Sequence, residues 1–144
     1  MHLTTRIFYP DLVNIYGCTL GSNTTVGPFV EIQSDVSIGE DCKISSHAFI
    51  CSGVTIGNRV FIGHGVIFIN DRKPESCNAD GTKKTDKDWT LEKTIIEDDV
   101  SIGSGAIIMC GITLHKGCSV GAGAVVTRDV LSNQTVVGVP ARSL

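Results

Sequence analysis

Aromatic residues make up only 6% of this 144-residue sequence, and Trp89 is its single tryptophan. So few large side chains, beside 16 glycines and 42% apolar content, suit stacked medium-sized aliphatics with many tight turns better than one central globular core. No apolar run approaches the length of about 18 residues that a membrane-spanning helix needs, and Met1 to Pro10 holds no apolar signal segment. A cytoplasmic protein of one domain, residues 1–144, is expected. There is no surplus of basic residues. Twelve Lys and Arg stand against 15 Asp and Glu, a net charge of −3, which lacks the electrostatic footprint of a nucleic-acid binder. No Cys-x-x-Cys and no Cys/His cluster with ligand spacing occurs, so neither a zinc site nor a disulfide framework is expected from the six cysteines. Cys18, Cys42 and Cys118 fill small apolar slots, Cys51 and Cys110 come just after core aliphatics, and Cys77 falls in a loop.

What the sequence does have is a period of six. Leu20, Val26, Ile32, Ile38, Ile44, Ile50, Ile56, Ile62 and Phe68 follow without a miss, and the series resumes at Ile96, Ile102, Ile108, Leu114, Val120 and Val126. Two places before each large residue sits a smaller one, such as Thr24, Val30, Val36, Cys42 and Ala48. This spacing fits neither a helix nor an ordinary alternating strand, and a fixed short period marks a solenoid. If three hexads close one coil, residues 18 apart stack, and every inward aliphatic rests on another. Three places after the core residue come Gly105, Gly111, Gly117 and Gly123, a corner slot that demands positive φ. Asn23, Asp35 and Asp41 tolerate that conformation, whereas Phe29, His47 and Arg59 occupy the same slot less naturally.

Fifteen such hexads in register resemble the hexapeptide-repeat acyltransferases. The resemblance implies an all-β fold, a single-stranded left-handed parallel β-helix, against the usual right-handed crossover preference. It further implies a homotrimer that binds acetyl-CoA in a groove between subunits. Val136-Val137-Gly138-Val139-Pro140-Ala141 resembles the segment that closes such helices.

Residues 69–95 break the period. They carry six basic and six acidic residues together with Trp89, and loops of this length inside compact domains are more often functional than not. The loop is therefore expected to build the active site, and the excursion 72–92 to be dispensable for folding. It starts Phe68-Ile69-Asn70-Asp71-Arg72-Lys73-Pro74-Glu75-Ser76. That stretch resembles the F-x-N-D-x-x-P-R-S of N-acetyltransferases acting on nucleotide-linked amino sugars for surface polysaccharides, with Glu75 where the family commonly has Arg. Lys73, Lys83 or Lys84 would then supply the positive charge.

Acetyl transfer from a thioester to an amine needs a neutral, well-placed nucleophile and a stabilised oxyanion. Asn70 can orient the amine through its side-chain carbonyl, although an Asn at a corner also has backbone reasons to be there. Asp71 and Lys73 are the expected substrate contacts; the alternative for Asp71 is a turn cap. His47 and His64 fall at one corner, one coil apart, and are expected as a stacked pair of candidate bases, since imidazole exchanges protons near neutral pH. Ser104-Gly105-Ala106 and Ala122-Gly123 give a column almost without side chains, along which a pantetheine arm can lie. Arg128 and Arg142 are expected at the coenzyme phosphates.

Three rival readings remain. A sugar O-acetyltransferase is weakened because residues 69–95 hold no His. A γ-class carbonic anhydrase would need His47, His64 and His115 as zinc ligands at unsuited gaps. A non-catalytic trimeric scaffold is opposed by the Asn70-Asp71 pair and the small-residue column.

Overall fold

The computed structural model describes residues 4–144. The chain winds as a left-handed parallel β-helix of triangular section. Its first face stacks Arg6–Ile7, Thr25–Val26, Lys43–Ile44, Phe61–Ile62, Ser101–Ile102, Ser119–Val120 and Thr135–Val137 in parallel, then adds Arg142–Ser143 antiparallel. The second holds Asn14–Ile15, Glu31–Ile32, Phe49–Ile50, Ile67–Phe68, Ile107–Ile108 and Val125–Val126. The third holds Thr19–Leu20, Ser37–Ile38, Val54–Ile56, Thr94–Ile96 and Thr113–Leu114. No helix among the described residues is long and apolar enough to cross a membrane.

The two-residue strands follow from the hexad. One residue of each points out and the next points in, as the pleat requires. The inward positions stack in register, Val26 on Ile44 and Ile62 on Ile102, and are almost wholly buried. From Thr24 onward the smaller residue two places earlier is buried as well, while Ile7, Val13, Ile15, Cys18 and Leu20 of the first coil are only partly covered. The corner slot is left-handed throughout the first half of the repeat. Phe29 (φ 59°), His47 (φ 64°) and Arg59 (φ 56°) adopt it just as Asn23, Asp35 and Asp41 do. Coil geometry therefore overrides the ordinary reluctance of bulky residues to take positive φ. At the C-terminal end, Val136 and Ala141 are buried and Arg142–Ser143 turns back along the last rung, closing the helix.

Phe68 is the largest fully buried side chain and lies over Ile108 in the next coil. Phe68→Ala is expected to cost about 3–5 kcal/mol, the transfer and cavity terms together. Urea unfolding measures it. A loss below about 1 kcal/mol would mean that the coils collapse around the hole.

The six cysteines are free thiols, five of them buried or half-buried and Cys77 exposed. Burial raises the Cys51 and Cys118 thiols to about 11, so neither is a ready nucleophile.

Candidate active site

Two corners of the triangle carry the residues of interest, and they lie at opposite ends of the second face. The first is the histidine corner, between the first and second faces. Backbone amides form a ladder down it: His47 N–H donates to Pro28 O (3.1 Å), Gly65 N–H to Ser46 O (3.0 Å), Gly105 N–H to His64 O (2.8 Å) and Gly123 N–H to Ser104 O (2.9 Å). Ser104-Gly105 does stack on Ala122-Gly123, and a Cβ placed at Gly65 or Gly123 would meet nothing within 4 Å. The strip below His64 is thus bare and open. Ala106 does not belong to it. Its side chain is buried in the core, its N–H donates to Gly103 O and its C=O accepts from Ile67 N–H. Ala106 occupies the inward-facing small slot of the hexad, two places before Ile108.

The two histidines do not stack on each other. His64 Nδ1 lies 2.8 Å from Ser46 Oγ, and the His47 ring lies against Phe29, centroids 5.0 Å apart. Their offsets from Ile44 and Ile62 differ by one residue, which places them side by side along the corner. The tautomer in which Nδ1–H donates to Ser46 leaves a lone pair on the outward Nε2 of His64. His115 turns to another corner, where it bonds Glu97 (3.1 Å), so the three usable histidines do not converge. No group of three or more His, Cys, Asp or Glu able to hold a metal occurs among the described residues. His2 lies outside the described residues.

The second is the loop corner, between the second and third faces, where Asn70 stands two residues past the end of the strand Ile67–Phe68. Asn70 Nδ2 donates to Ser52 O (3.0 Å), and Asn70 O accepts from Glu92 N–H (3.0 Å). Its Oδ1 has no partner among the described residues. Asn70 borders a cleft of about 690 Å³ walled by Tyr16, Phe49, Trp89 and Leu91, with Gln33, Ser34, Cys51, Ser52 and Asp86. Asn70 and the histidines thus do not form one site within a single chain, because the width of the second face separates them.

Residues 69–93 run as turns and irregular chain before the strand Thr94–Ile96 resumes the coil. Cys77 bridges Lys83 antiparallel, Asp80 Oδ1 accepts from Thr82 N–H, and Asp88 Oδ2 accepts from Thr85 N–H (2.8 Å). Asp71 Oδ1 accepts from Lys73 N–H (3.0 Å), so Asp71 caps the turn that opens the loop. Trp89 is half-buried and also walls a second cleft of about 390 Å³ with Asp71, Pro74, Glu75, Ser76, Lys83, Lys84, Thr85 and Asp86. Lys83 and Lys84 line this cleft together with Glu75. Three carboxylates stand against those two lysines there, so the loop by itself makes no strong anion seat. Lys73 lines a third cleft, of about 330 Å³, with Asp71, Arg72, Glu75, Lys84 and Trp89.

Arg72 is a cation the sequence reading passed over. Its Nε and Nη2 bind the two carboxylate oxygens of Glu92 (2.9 and 3.0 Å), and Nη2 also donates to Cys110 O (3.0 Å). The guanidinium holds Glu92 below the usual carboxylate range, chiefly through that hydrogen bond. A depressed carboxylate keeps its pairing above the ordinary carboxylate pKa and loses it only as pH falls through the lowered value. A charge in an aperiodic loop gives no signal of its partner 20 residues away.

Arg128 and Arg142 share a cavity of about 240 Å³ at the C-terminal end with Asp129, Leu131 and Gln134. Arg128 leaves the loop corner of the last coil, while Arg142 pairs with Val137 beside the histidine corner. Of the two, Arg142 is the nearer to the bare strip.

Comparison with known proteins adds to this geometry. The bifunctional protein GlmU of Blochmanniella pennsylvanica is 38% identical over 121 residues, covering 84% of this chain and 22% of that protein. GlmU of Herminiimonas arsenicoxydans is 31% identical over 137 residues, covering 84% and 27%. The chain thus spans about a quarter of the length of these relatives. Among solved structures, a hexapeptide-repeat-containing acetyltransferase of Vibrio cholerae O1 biovar eltor, complexed with acetyl coenzyme A, is 28% identical with a TM-score of 0.75, over 90% of this chain and 70% of that one. Perosamine N-acetyltransferase of Caulobacter crescentus, in complex with CoA and GDP-perosamine, shares the fold at 20% identity and a TM-score of 0.77, over 99% and 57%. The model of the bacterial transferase hexapeptide family (six repeats) matches residues 17–52, 37–70 and 93–128, well over half of the chain, and leaves out 71–92 within the loop. By this match and by its coiled hexads, the chain belongs to the bacterial transferase hexapeptide family.

Proposed function

We propose that this chain transfers the acetyl group of acetyl-CoA to the amine of a nucleotide-linked amino sugar, for the making of surface polysaccharide. The observation that carries the reading is the side chain of Asn70. Its Nδ2 is committed to Ser52 O, so what it offers the cleft is an acceptor, Oδ1. An acceptor there suits a neutral amine, whose N–H it can hold while the lone pair turns toward the thioester. The amine nitrogen attacks the thioester carbonyl carbon, the C–S bond breaks, and the departing thiolate takes up the proton that the nitrogen loses. His64 Nε2, oriented by Ser46, is the group suited to carry that proton. The aromatic and polar walls of Tyr16, Phe49, Trp89 and Gln33 suit a sugar ring, and Lys83 and Lys84 are the cations nearest for its phosphates. The bare strip of Gly65, Ser104, Gly105, Ala122 and Gly123 suits the pantetheine arm, with Arg142 toward the coenzyme phosphates.

Such a site requires a second copy of the chain, because Asn70 and His64 stand at different corners. The outward residues of the second face support this: Phe49, Ile67, Ile107 and Val125 form an apolar stripe over four successive rungs between the two corners. A homotrimer that covers this stripe brings the loop corner of one subunit to the histidine corner of the next. Sedimentation is expected to give a trimer, and a stable monomer that still turns over would sink the shared site.

Thiol release from acetyl-CoA, measured against nucleotide-linked 3-amino and 4-amino sugars, the free amino sugars and their hydroxyl analogues, tests the reaction. Turnover with nucleotide-linked amines alone is expected. Turnover with the hydroxyl analogues would make the chain an O-acetyltransferase, and turnover with free amino sugars would remove the nucleotide from the reading.

A further inference from the structure

We propose that Arg72 and Glu92 are positioning residues that clasp the neck of the loop and thereby hold Asn70 in its acceptor-presenting orientation. The inference rests on the function proposed above and adds to it the pair on which Asn70 depends.

Three separate observations carry it. The first is the bonding of the pair. Both oxygens of Glu92 meet the guanidinium side-on, and the same guanidinium reaches Cys110 O in the coil below. Fork-to-fork geometry fixes direction as well as distance. The pair therefore ties the two ends of the insertion, positions 72 and 92, to each other and to the solenoid. The second observation is the link to Asn70. Glu92 N–H donates to Asn70 O at 3.0 Å, while Ser52 O holds Asn70 Nδ2 at 3.0 Å. Asn70 is thus fixed from two sides, and one of those sides is the residue that Arg72 grips. The third observation is the seat. A Cβ at Gly111 would lie 2.9 Å from Glu92 Oε1 and 3.2 Å from Arg72 Nη2. One at Gly53 would lie 2.5 Å from Leu91 Cδ2. These two corner glycines, on the coils either side of Asn70, leave the room in which the neck lies down.

A surface ion pair adds little to global stability, since its charges are screened and its side chains lose freedom. Arg72 and Glu92 remain substantially exposed, with side-chain exposures of 54% and 36%. The function of such a pair is local. It fixes a neck whose slack would otherwise pass straight to the Asn70 carbonyl, and a displacement on the order of 1 Å is enough to cost a large factor in rate.

Arg72→Met and Glu92→Gln in the full chain provide the test, with the exchanged pair R72E/E92R. For each single variant, kcat with the amine acceptor is expected to fall on the order of tenfold to a hundredfold, while KM for acetyl-CoA and the melting temperature stay near wild type. Deuterium uptake at residues 69–73 and 91–94 is expected to quicken, with the hexads unchanged. The exchanged pair is expected to recover part of the lost kcat. Wild-type kcat in both single variants, alongside an impaired Asn70→Ala, would overturn the clasp and leave the proposed function standing. No recovery in R72E/E92R would assign the loss to Arg72 alone and overturn the pairing. Wild-type turnover in Asn70→Ala would instead remove the reading on which the clasp rests.

Discussion

Replacing Asn70 by Ala is expected to lower kcat/KM for the amino-sugar acceptor by about 10²–10³-fold, the cost of deleting one preorganised polar contact at a reacting centre. Affinity for acetyl-CoA is expected to hold, because the bare strip lies at the other corner. The size of the effect follows from how Asn70 is held. A flexible surface Asn would lose part of its benefit in ordering itself, but here Ser52 O and Glu92 N–H have already fixed it. Removing the amide also leaves Ser52 O without a donor, so a melting curve must accompany the kinetics. His64→Ala is the control. As the base, it is expected to lower kcat and remove the limb of the pH–rate profile that His64 governs, whereas His47→Ala, whose ring rests on Phe29, is expected to leave that limb in place. Wild-type turnover in Asn70→Ala together with a dead His64→Ala would move the chemistry to the histidine corner alone.

How much of this was legible in the sequence depends on the range of the interaction. The coil was legible because its cause is local and repeated: one inward aliphatic per six residues, and a corner slot whose glycines announce positive φ. Phe29, His47 and Arg59, the least natural occupants of that slot, take it despite their bulk because the coil imposes it. Contacts between coils could be read wherever the 18-residue spacing holds, as for Ser104-Gly105 on Ala122-Gly123. They were misread where an offset of one residue decides the partner. His64 meets Ser46 and not His47, for that reason. Ala106 sits two places before Ile108, in the small inward slot of the hexad, so its side chain is in the core and only Ser104 and Gly105 of that segment face the strip. The separation of Asn70 from the histidines was also implicit in the hexad count, since His64 and Asn70 flank one strand. The partnership of Arg72 with Glu92 was not legible at all. It spans 20 residues of aperiodic loop, where no spacing rule applies.

Excising residues 72–93 is expected to leave a folded β-helix that no longer acetylates its amine acceptor. Register fixes the length of the cut. Ile38 pairs with Ile56 at a separation of 18, but Ile56 pairs with Ile96 at a separation of 40, a surplus of 22 residues. Removing 72–93 takes out that surplus and joins Asp71 to Thr94. Phe68 and Ile96 then stand six apart, buried Thr94 fills the small inward slot, and Asp71 falls on the left-handed corner that Asp35 and Asp41 already adopt. The shorter excision 72–92, suggested by the charged stretch alone, leaves Lys93 as a seventh residue. That extra residue must bulge out at a corner that otherwise closes in six, and without the native neck contacts of Arg72 and Glu92 nothing holds the widened turn. The 72–93 variant is therefore expected to melt cooperatively near wild type, and the 72–92 variant at a lower temperature. With Trp89, Leu91 and the Arg72–Glu92 clasp gone, the 690 Å³ cleft loses its outer wall, while the strip from Gly65 to Gly123 is untouched. Acetyl-CoA is thus expected still to raise the melting temperature of the 72–93 variant, although thiol release with the amine acceptor is lost. Unfolding of the 72–93 variant would make the loop part of the scaffold. Full activity in it would place the acceptor site elsewhere on the coil.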